Sequence, residues 1–304
     1  MEVSRLRRIR HAFEYLGVRI LVFALAWLPK RFALGLGLRI GDAWRLLDRR
    51  RRKTVRTQSA DRLGLSPAEA KEFTRRNFRN LGVTLVEFAR LSRLSLSDFA
   101  GLVDLAGLDG LIRKLLEEGR GVCFITAHFG NWEWCNWLSG VMGLSGGSIA
   151  RPLDNPRLEM FVKGIREKNG LAIFDKRGAM RQALRTLRNN GVVGALIDQD
   201  AGAGGLMSPF LGCPASTITA PVELAMRSGS PILTVALKRT DGPGRRFVAR
   251  YNPIPHRPCP HTNPKEEIRR LVDAVNADLS RLILEAPEQW FWIHRRWKNQ
   301  GRNQ

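Results

Sequence analysis

The 304-residue sequence predicts an α/β fold, a mostly parallel mixed sheet flanked by helices, with an N-terminal membrane-associated helical segment. Two patterns lead there. Past residue 53, short apolar runs rich in β-branched residues alternate with stretches of helical period, which is the signature of strands joined by crossover helices. Ahead of residue 53, the chain is apolar or arginine-rich without strand alternation. The expected division is therefore a membrane-anchoring amphipathic segment over 1–53 and an α/β domain over 54–304. A chain of this length has ample material for a core.

Taken in order, Arg5, Arg7, Arg8 and Arg10 precede an apolar stretch over 16–28, broken by Arg19. Its clean part, 20–28, rises only about 14 Å against a hydrocarbon core of about 30 Å. The expectation is a helix that dips into the bilayer or barely spans it. Two rivals are an amphipathic helix packed on the domain and a cleavable leader ending near Ala24-Leu25-Ala26. Residues 32–47 are amphipathic and glycine-rich, and lead into Arg49-Arg50-Arg51-Arg52-Lys53. Ser66-Pro67-Ala68-Glu69 is a capping box with proline at the first helical position. Phe73, Phe78, Leu81, Leu85 and Phe88 mark the apolar face of the helix it opens.

Strands are expected at 103–106, 122–127, 148–150, 171–174, 192–197, 232–237 and 247–251. Helical patterns lie between them at 108–118, 132–142, 156–169, 178–189 and 217–227, and a closing helix at 265–284. In such sheets the loops at the carboxyl ends of the strands carry function. The ends near Ala127, Ala150 and Ile197 are the natural site positions.

The net charge of +22, from 50 Lys and Arg against 28 Asp and Glu, implies an anionic partner: nucleic acid, a membrane surface or an acidic protein. No nucleic-acid module is recognisable, and the apolar N-terminus favours a membrane. Cys123, Cys135, Cys213 and Cys259 are widely spaced and form no Cys-x-x-Cys pair. His11, His256, His261 and His294 show no metal-ligand spacing, so neither a metal nor another cofactor is expected. No Gly-x-Ser-x-Gly elbow is present, which argues against a serine hydrolase.

His128 and Glu133 are the candidate chemistry. On one continuous helix the pair would point about 140° apart, so the chain must turn between them. Gly130 permits that turn, and Asn131 is a good N-cap that would place Glu133 in a first helical turn. An ionised Glu133 accepting one imidazole N–H would leave the other ring nitrogen free as a general base.

The segment Ala127-His128-Phe129-Gly130-Asn131-Trp132-Glu133 resembles the signature of the bacterial lipid A late acyltransferases, a branch of the glycerolipid acyltransferase superfamily. The resemblance runs from about Arg7 to Lys298. It includes Arg79-Asn80-Leu81-Gly82 with Glu87-Phe88-Ala89-Arg90, then Arg151-Pro152-Leu153-Asp154-Asn155-Pro156, Arg166 and Gly170. It continues through Asp198-Gln199-Asp200, Pro209-Phe210-Leu211-Gly212 and the closing Trp290-Phe291-Trp292-Ile293-His294-Arg295-Arg296-Trp297-Lys298.

What the resemblance implies is transfer of a fatty acyl chain from a thioester, on acyl-carrier protein, to a hydroxyl of a glycolipid acceptor at the cytoplasmic face of the inner membrane. His128 would be the base and Glu133 its orienter, with Arg166 and backbone N–H groups near Gly130 as oxyanion donors. Asp198 and Gln199 would either hydrogen-bond substrate or cap a loop, and Arg151 with Asp154 and Asn155 either meets a headgroup or opens a helix. Phe210 and Gly212 shape an acyl slot or a plain turn. Trp290, Trp292 and Trp297 suit a membrane interface or core packing equally. Transfer to a different lipid acceptor, and a non-catalytic basic membrane- or nucleic-acid-binding protein, are the alternative readings.

Overall fold

The structure is a computed structural model and describes residues 5–174, 178–240, 247–255 and 263–298. His256, His261 and Cys259 lie outside the described residues. A seven-stranded sheet forms the centre, in spatial order β1 (Val103–Asp104), β9 (Phe247–Ile254), β8 (Ile232–Arg239), β2 (Val122–Thr126), β5 (Val192–Leu196), β3 (Gly146–Ile149) and β4 (Ala172–Phe174). All pairings are parallel except β8 with β9, which are consecutive in sequence and run antiparallel. The seven expected strands are these seven, with bounds shifted by up to three residues. β2 is buried along its whole length, as a central parallel strand covered on both faces must be.

The helices that cover the sheet are α6 (Leu108–Leu116), α7 (Trp134–Val141), α8 (Pro156–Glu167), α9 (Ala179–Arg188), α10 (Ala220–Ser228) and α11 (Pro264–Leu284). The short α5 (Leu96–Ala100) precedes β1. A two-stranded hairpin, β6 (Leu206–Phe210) with β7 (Cys213–Thr217), was not expected from the sequence. Its connection is Leu211-Gly212, both at positive φ (47° and 76°), the geometry of a two-residue primed turn. The apolar-turn reading of Phe210 and Gly212 thus holds: Phe210 is fully buried against Trp290, with ring centroids 5.4 Å apart.

Four long helices come ahead of α5: α1 (Arg5–Trp27), α2 (Lys30–Leu47), α3 (Arg49–Leu63) and α4 (Pro67–Leu91). The expected capping box opens α4, with Ser66 Oγ accepting from Glu69 N–H and Glu69 accepting from Ser66 N–H. The glycines of α2 explain its composition. A Cβ at Gly41 would overlap the Phe78 carbonyl, and one at Gly82 would overlap that of Gly37. The α2 and α4 backbones therefore cross in contact, which only glycine allows. α3 runs without interruption through residue 53 and is tied to the C-terminal segment, because Gln58 donates to the carbonyls of Trp292 and His294, both at 2.9 Å.

α1 is packed on one face and bare on the other. Val22, Leu25 and Ala26 are buried. Asn155 donates to His11 O (2.8 Å) and Glu14 Oε2 (3.0 Å), binding α1 to the start of α8. On the opposite face Leu6, Ile9, Phe13, Leu16, Ile20, Phe23 and Trp27 are exposed, a stripe with alternating three- and four-residue spacing. Among the described residues, no helix is long and apolar enough to cross a membrane.

Candidate active site

The site stands at the carboxyl ends of β2 and β5. These neighbours are parallel and in register, with Thr126 opposite Leu196. Two residues beyond each lie His128 and Asp198. His128 Nδ1 is 2.8 Å from Asp198 Oδ1, and the His128 backbone N–H donates to Asp198 Oδ2, also at 2.8 Å. Trp290 Nε1–H donates to the same Oδ2 at 2.7 Å. Burial of Asp198 acts to raise its pKa, but the His128 imidazole and these hydrogen bonds outweigh it, and the carboxyl is held below the usual range. An ionised Asp198 accepts the Nδ1 proton, so the lone pair lies on Nε2. Gln199 Nε2 stands 3.5 Å from that nitrogen, at the outer limit of hydrogen bonding. Rings of Trp132 and Phe291 wall the imidazole, with centroids 5.3 and 5.5 Å away.

The expected His128–Glu133 contact does not form; the partners are exchanged. Asp198, not Glu133, orients the imidazole. Glu133 accepts two hydrogen bonds from Arg166, from Nε at 2.7 Å and Nη2 at 2.6 Å. This fork holds Arg166 charged despite its burial, since Glu133 outweighs the desolvation that would lower its pKa. The reason for the exchange is the sheet: register delivers a carboxylate across from His128 that sequence neighbours cannot match. α7 and α8 are fixed to each other beside the fork. Asn136 Nδ2 donates to the carbonyls of Arg166 and Leu171, and Trp137 Nε1 to that of Ile165.

Gly130 and Asn131 also differ from expectation. Gly130 does sit at φ 60°, in a corner so tight that a Cβ would overlap the Leu237 carbonyl. Its N–H, however, donates to Gln289 O at 3.1 Å and is not free for an oxyanion. Asn131 caps nothing with its side chain; it is fully buried and donates to Glu87 Oε2 at 3.1 Å. α7 begins later, at Trp134. Among the described residues, the backbone N–H groups of Trp132 and Glu133 have no acceptor. Arg151 is exposed and joins none of these groups, while Asn155 caps α8 by accepting from Arg157 N–H at 3.1 Å.

A buried ion pair supports the corner from below. Arg239 of β8 grips Glu87 of α4 through Nε (2.9 Å) and Nη2, and also bonds Asn80 and Thr84. Gln289 brackets the Arg239 backbone, accepting its N–H and donating to its carbonyl, both at 2.9 Å. The Asn80 and Glu87 motif therefore positions the turn that carries His128, and its role was invisible without Arg239, which no motif included.

The closing motif is core. Trp290, Trp292 and Trp297 are buried, which settles them as core residues and not as membrane-interface residues, and the indoles of Trp290 and Trp292 also donate hydrogen bonds, to Asp198 and to the Pro287 carbonyl. Arg296 is fully buried, donating to the carbonyls of Gln199 (2.9 Å) and Ser216 and to Thr217 Oγ1 (2.6 Å). Burial pushes its pKa down to about 10. Cys123, Cys135 and Cys213 are free, with burial pushing the Cys123 and Cys135 thiols up to about 12.

Comparison with known proteins agrees in kind. The family model described as "Bacterial lipid A biosynthesis acyltransferase" matches residues 2–299. The chain is 30% identical over 278 residues to the lipid A biosynthesis palmitoleoyltransferase of Escherichia coli (strain K12), covering 89% of this chain and 86% of that protein. A lipid A biosynthesis acyltransferase of Shigella flexneri matches to the same extent, 30% over 278 residues. The lipid A biosynthesis lauroyltransferase of Escherichia coli (strain K12) is 24% identical over 293 residues, 95% of this chain and 92% of that one.

Proposed function

The chain belongs to the bacterial lipid A biosynthesis acyltransferase family, and from that premise we propose that it moves a fatty acyl group from acyl-carrier protein to a hydroxyl of a lipid A precursor with His128 as general base. The observation that carries the mechanism is the 2.8 Å bond between His128 Nδ1 and Asp198. It fixes the tautomer whose Nε2 lone pair takes a proton.

His128 Nε2 removes the acceptor hydroxyl proton as the oxygen attacks the thioester carbonyl carbon. Asp198 stabilises the imidazolium that results. The tetrahedral oxyanion is met by Arg166, kept cationic and aimed by Glu133, together with the N–H groups of Trp132 and Glu133, which have no acceptor among the described residues. Collapse breaks the carbon–sulfur bond, and the departing thiolate receives the proton from His128. No acyl-enzyme is needed.

The bare face of α1 supports attachment to the inner membrane from the cytoplasmic side. Seven large apolar side chains left in water forgo on the order of 10 kcal/mol of burial. A helix lying in the lipid interface recovers it, with Arg7, Arg8, Arg10 and Arg19 at headgroup height. On this reading residues 1–53 are the anchoring segment and 54–304 carry the catalysis.

The test incubates membranes containing the protein with labelled acyl-carrier protein and candidate acceptors, and identifies the product by mass spectrometry. Acylated lipid A precursor is expected. Transfer to phospholipid alone would overturn the acceptor, and coenzyme A thioester used in preference would overturn the donor.

A further inference from the structure

We propose that the cationic bays flanking α3 bind the phosphate groups of a phosphorylated glycolipid acceptor. The inference rests on the acceptor reading above and gives that acceptor a place to sit.

Two concavities of about 440 and 450 Å³ open on either side of α3 and share Lys53. The first lies between α3 and the C-terminal segment, where Arg50, Lys53 and Arg62 face Arg295 and Lys298, with Asp61 as the acid in the lining. The second lies towards α4, where Arg45, Arg49, Arg52, Lys53 and Arg56 meet Lys71 and no carboxylate lines the wall. Residues 50, 53, 54, 57, 58 and 61 recur at three- and four-residue intervals, so a single helix face supplies one bay, and 49, 52, 53 and 56 supply the other.

Three observations select a phosphorylated lipid. First, Arg49, Arg50, Lys53 and Arg295 are exposed and make no ion pair among the described residues. Like charges converging on one hollow repel each other, and an anion removes that repulsion. Arginine forks and lysine ammonium groups match phosphate oxygens. Second, Leu46 and Leu47, at the turn into α3, are 59% and 84% exposed. Apolar tips beside a cationic hollow place it at the depth of lipid headgroups. Third, the C-terminal segment that lines the first bay also reaches the active site. Lys298 pairs with Asp200 at 3.0 Å, and Phe291 of the same segment stacks on His128. Hollows of this volume admit a sugar phosphate; an acidic helix of a carrier protein needs a broad, open surface.

The test uses the full chain in detergent micelles. Arg50→Gln/Lys53→Gln removes two of the five cations that line the first bay, and Arg49→Gln/Arg56→Gln two of the six that line the second. Arg181→Gln/Arg188→Gln on α9 removes the same charge elsewhere. Binding of the acceptor, with and without its phosphate groups removed enzymatically, is measured on a His128→Ala background, and transfer kinetics on the active protein.

The bays predict that the unaltered protein prefers the phosphorylated acceptor, and that each bay variant weakens its binding by about tenfold and raises KM with little change in kcat. The α9 variant should match the parent. Equal binding of both acceptors by the parent, equal losses in the α9 variant, or a selective rise in KM for acyl-carrier protein would overturn the proposal. Because binding is read without turnover, absence of transfer would strike the acyltransferase reading and leave the phosphate preference to be judged separately.

Discussion

Asp198 stands directly across the sheet from His128, each two residues past the register pair Leu196 and Thr126, and both of its oxygens are engaged by His128 while Trp290 holds one of them. Asp198→Asn retains the shape but presents an amide that can donate to Nδ1 and so favour the wrong tautomer. Its kcat should fall by about 10²–10⁴-fold, comparable to His128→Ala, with an unchanged circular dichroism spectrum. Near-parental turnover in Asp198→Asn would remove Asp198 from the mechanism.

Glu133 and Arg166 form a two-point fork, so they should behave as one unit. Glu133→Gln and Arg166→Gln are each expected to lower kcat. The double variant should lose far less than the product of the two, with a coupling of about 0.5–3 kcal/mol. Additive losses in a double-mutant cycle on kcat/KM would show that the two side chains act independently.

The Arg239–Glu87 pair is almost wholly buried and serves the corner as well as the core. Glu87→Ala leaves the guanidinium without its carboxylate and should cost about 3–5 kcal/mol, measured by chemical denaturation. Gly82→Ala should destabilise for another reason, since its methyl group would force α2 and α4 apart. A loss below about 0.5 kcal/mol in either variant would contradict the packing described.

His294 gives the protein an acid-sensitive point. Its Nε2 accepts from Asp200 N–H at 3.0 Å, so a proton there would turn two donors on each other. Burial lowers its pKa, opposed by Asp198 and Asp200 and reinforced by His128 and Arg296. The folded state therefore binds this proton less readily than the unfolded chain. Stability from this group is complete above about pH 6.5 and declines as pH falls below it. His294→Gln keeps an acceptor and should flatten that part of the stability profile; an identical slope in both proteins would exclude His294 as its source.

Much of this was legible in the sequence because local pattern decides it. The seven sheet strands follow from apolar runs, and the Ser66–Glu69 capping box from four adjacent residues. His128 was legible as a strand-end histidine. Its partner was not, because the choice between Glu133 and Asp198 depends on which strands lie side by side, and sequence order does not reveal that β2 neighbours β5. The same limit hid Arg239 beneath Glu87. The hairpin at Leu206–Thr217 was overlooked because Pro209 and Pro214 argue against strand, although they pair with each other across it. The signal was present at Leu211-Gly212, a two-residue turn with glycine second.

The C-terminal segment supplies Trp290 to the aspartate, Phe291 to the imidazole and Arg296 to the carbonyl of Gln199. A ribosome therefore releases the last strand and even α11 before the reaction centre has its walls. A chain cut before Trp290 keeps every strand of the sheet, yet loses the indole donor to Asp198, the Phe291 wall and the Arg296 tie to Gln199 in one stroke. Synthesis thus completes the sheet before it completes the site.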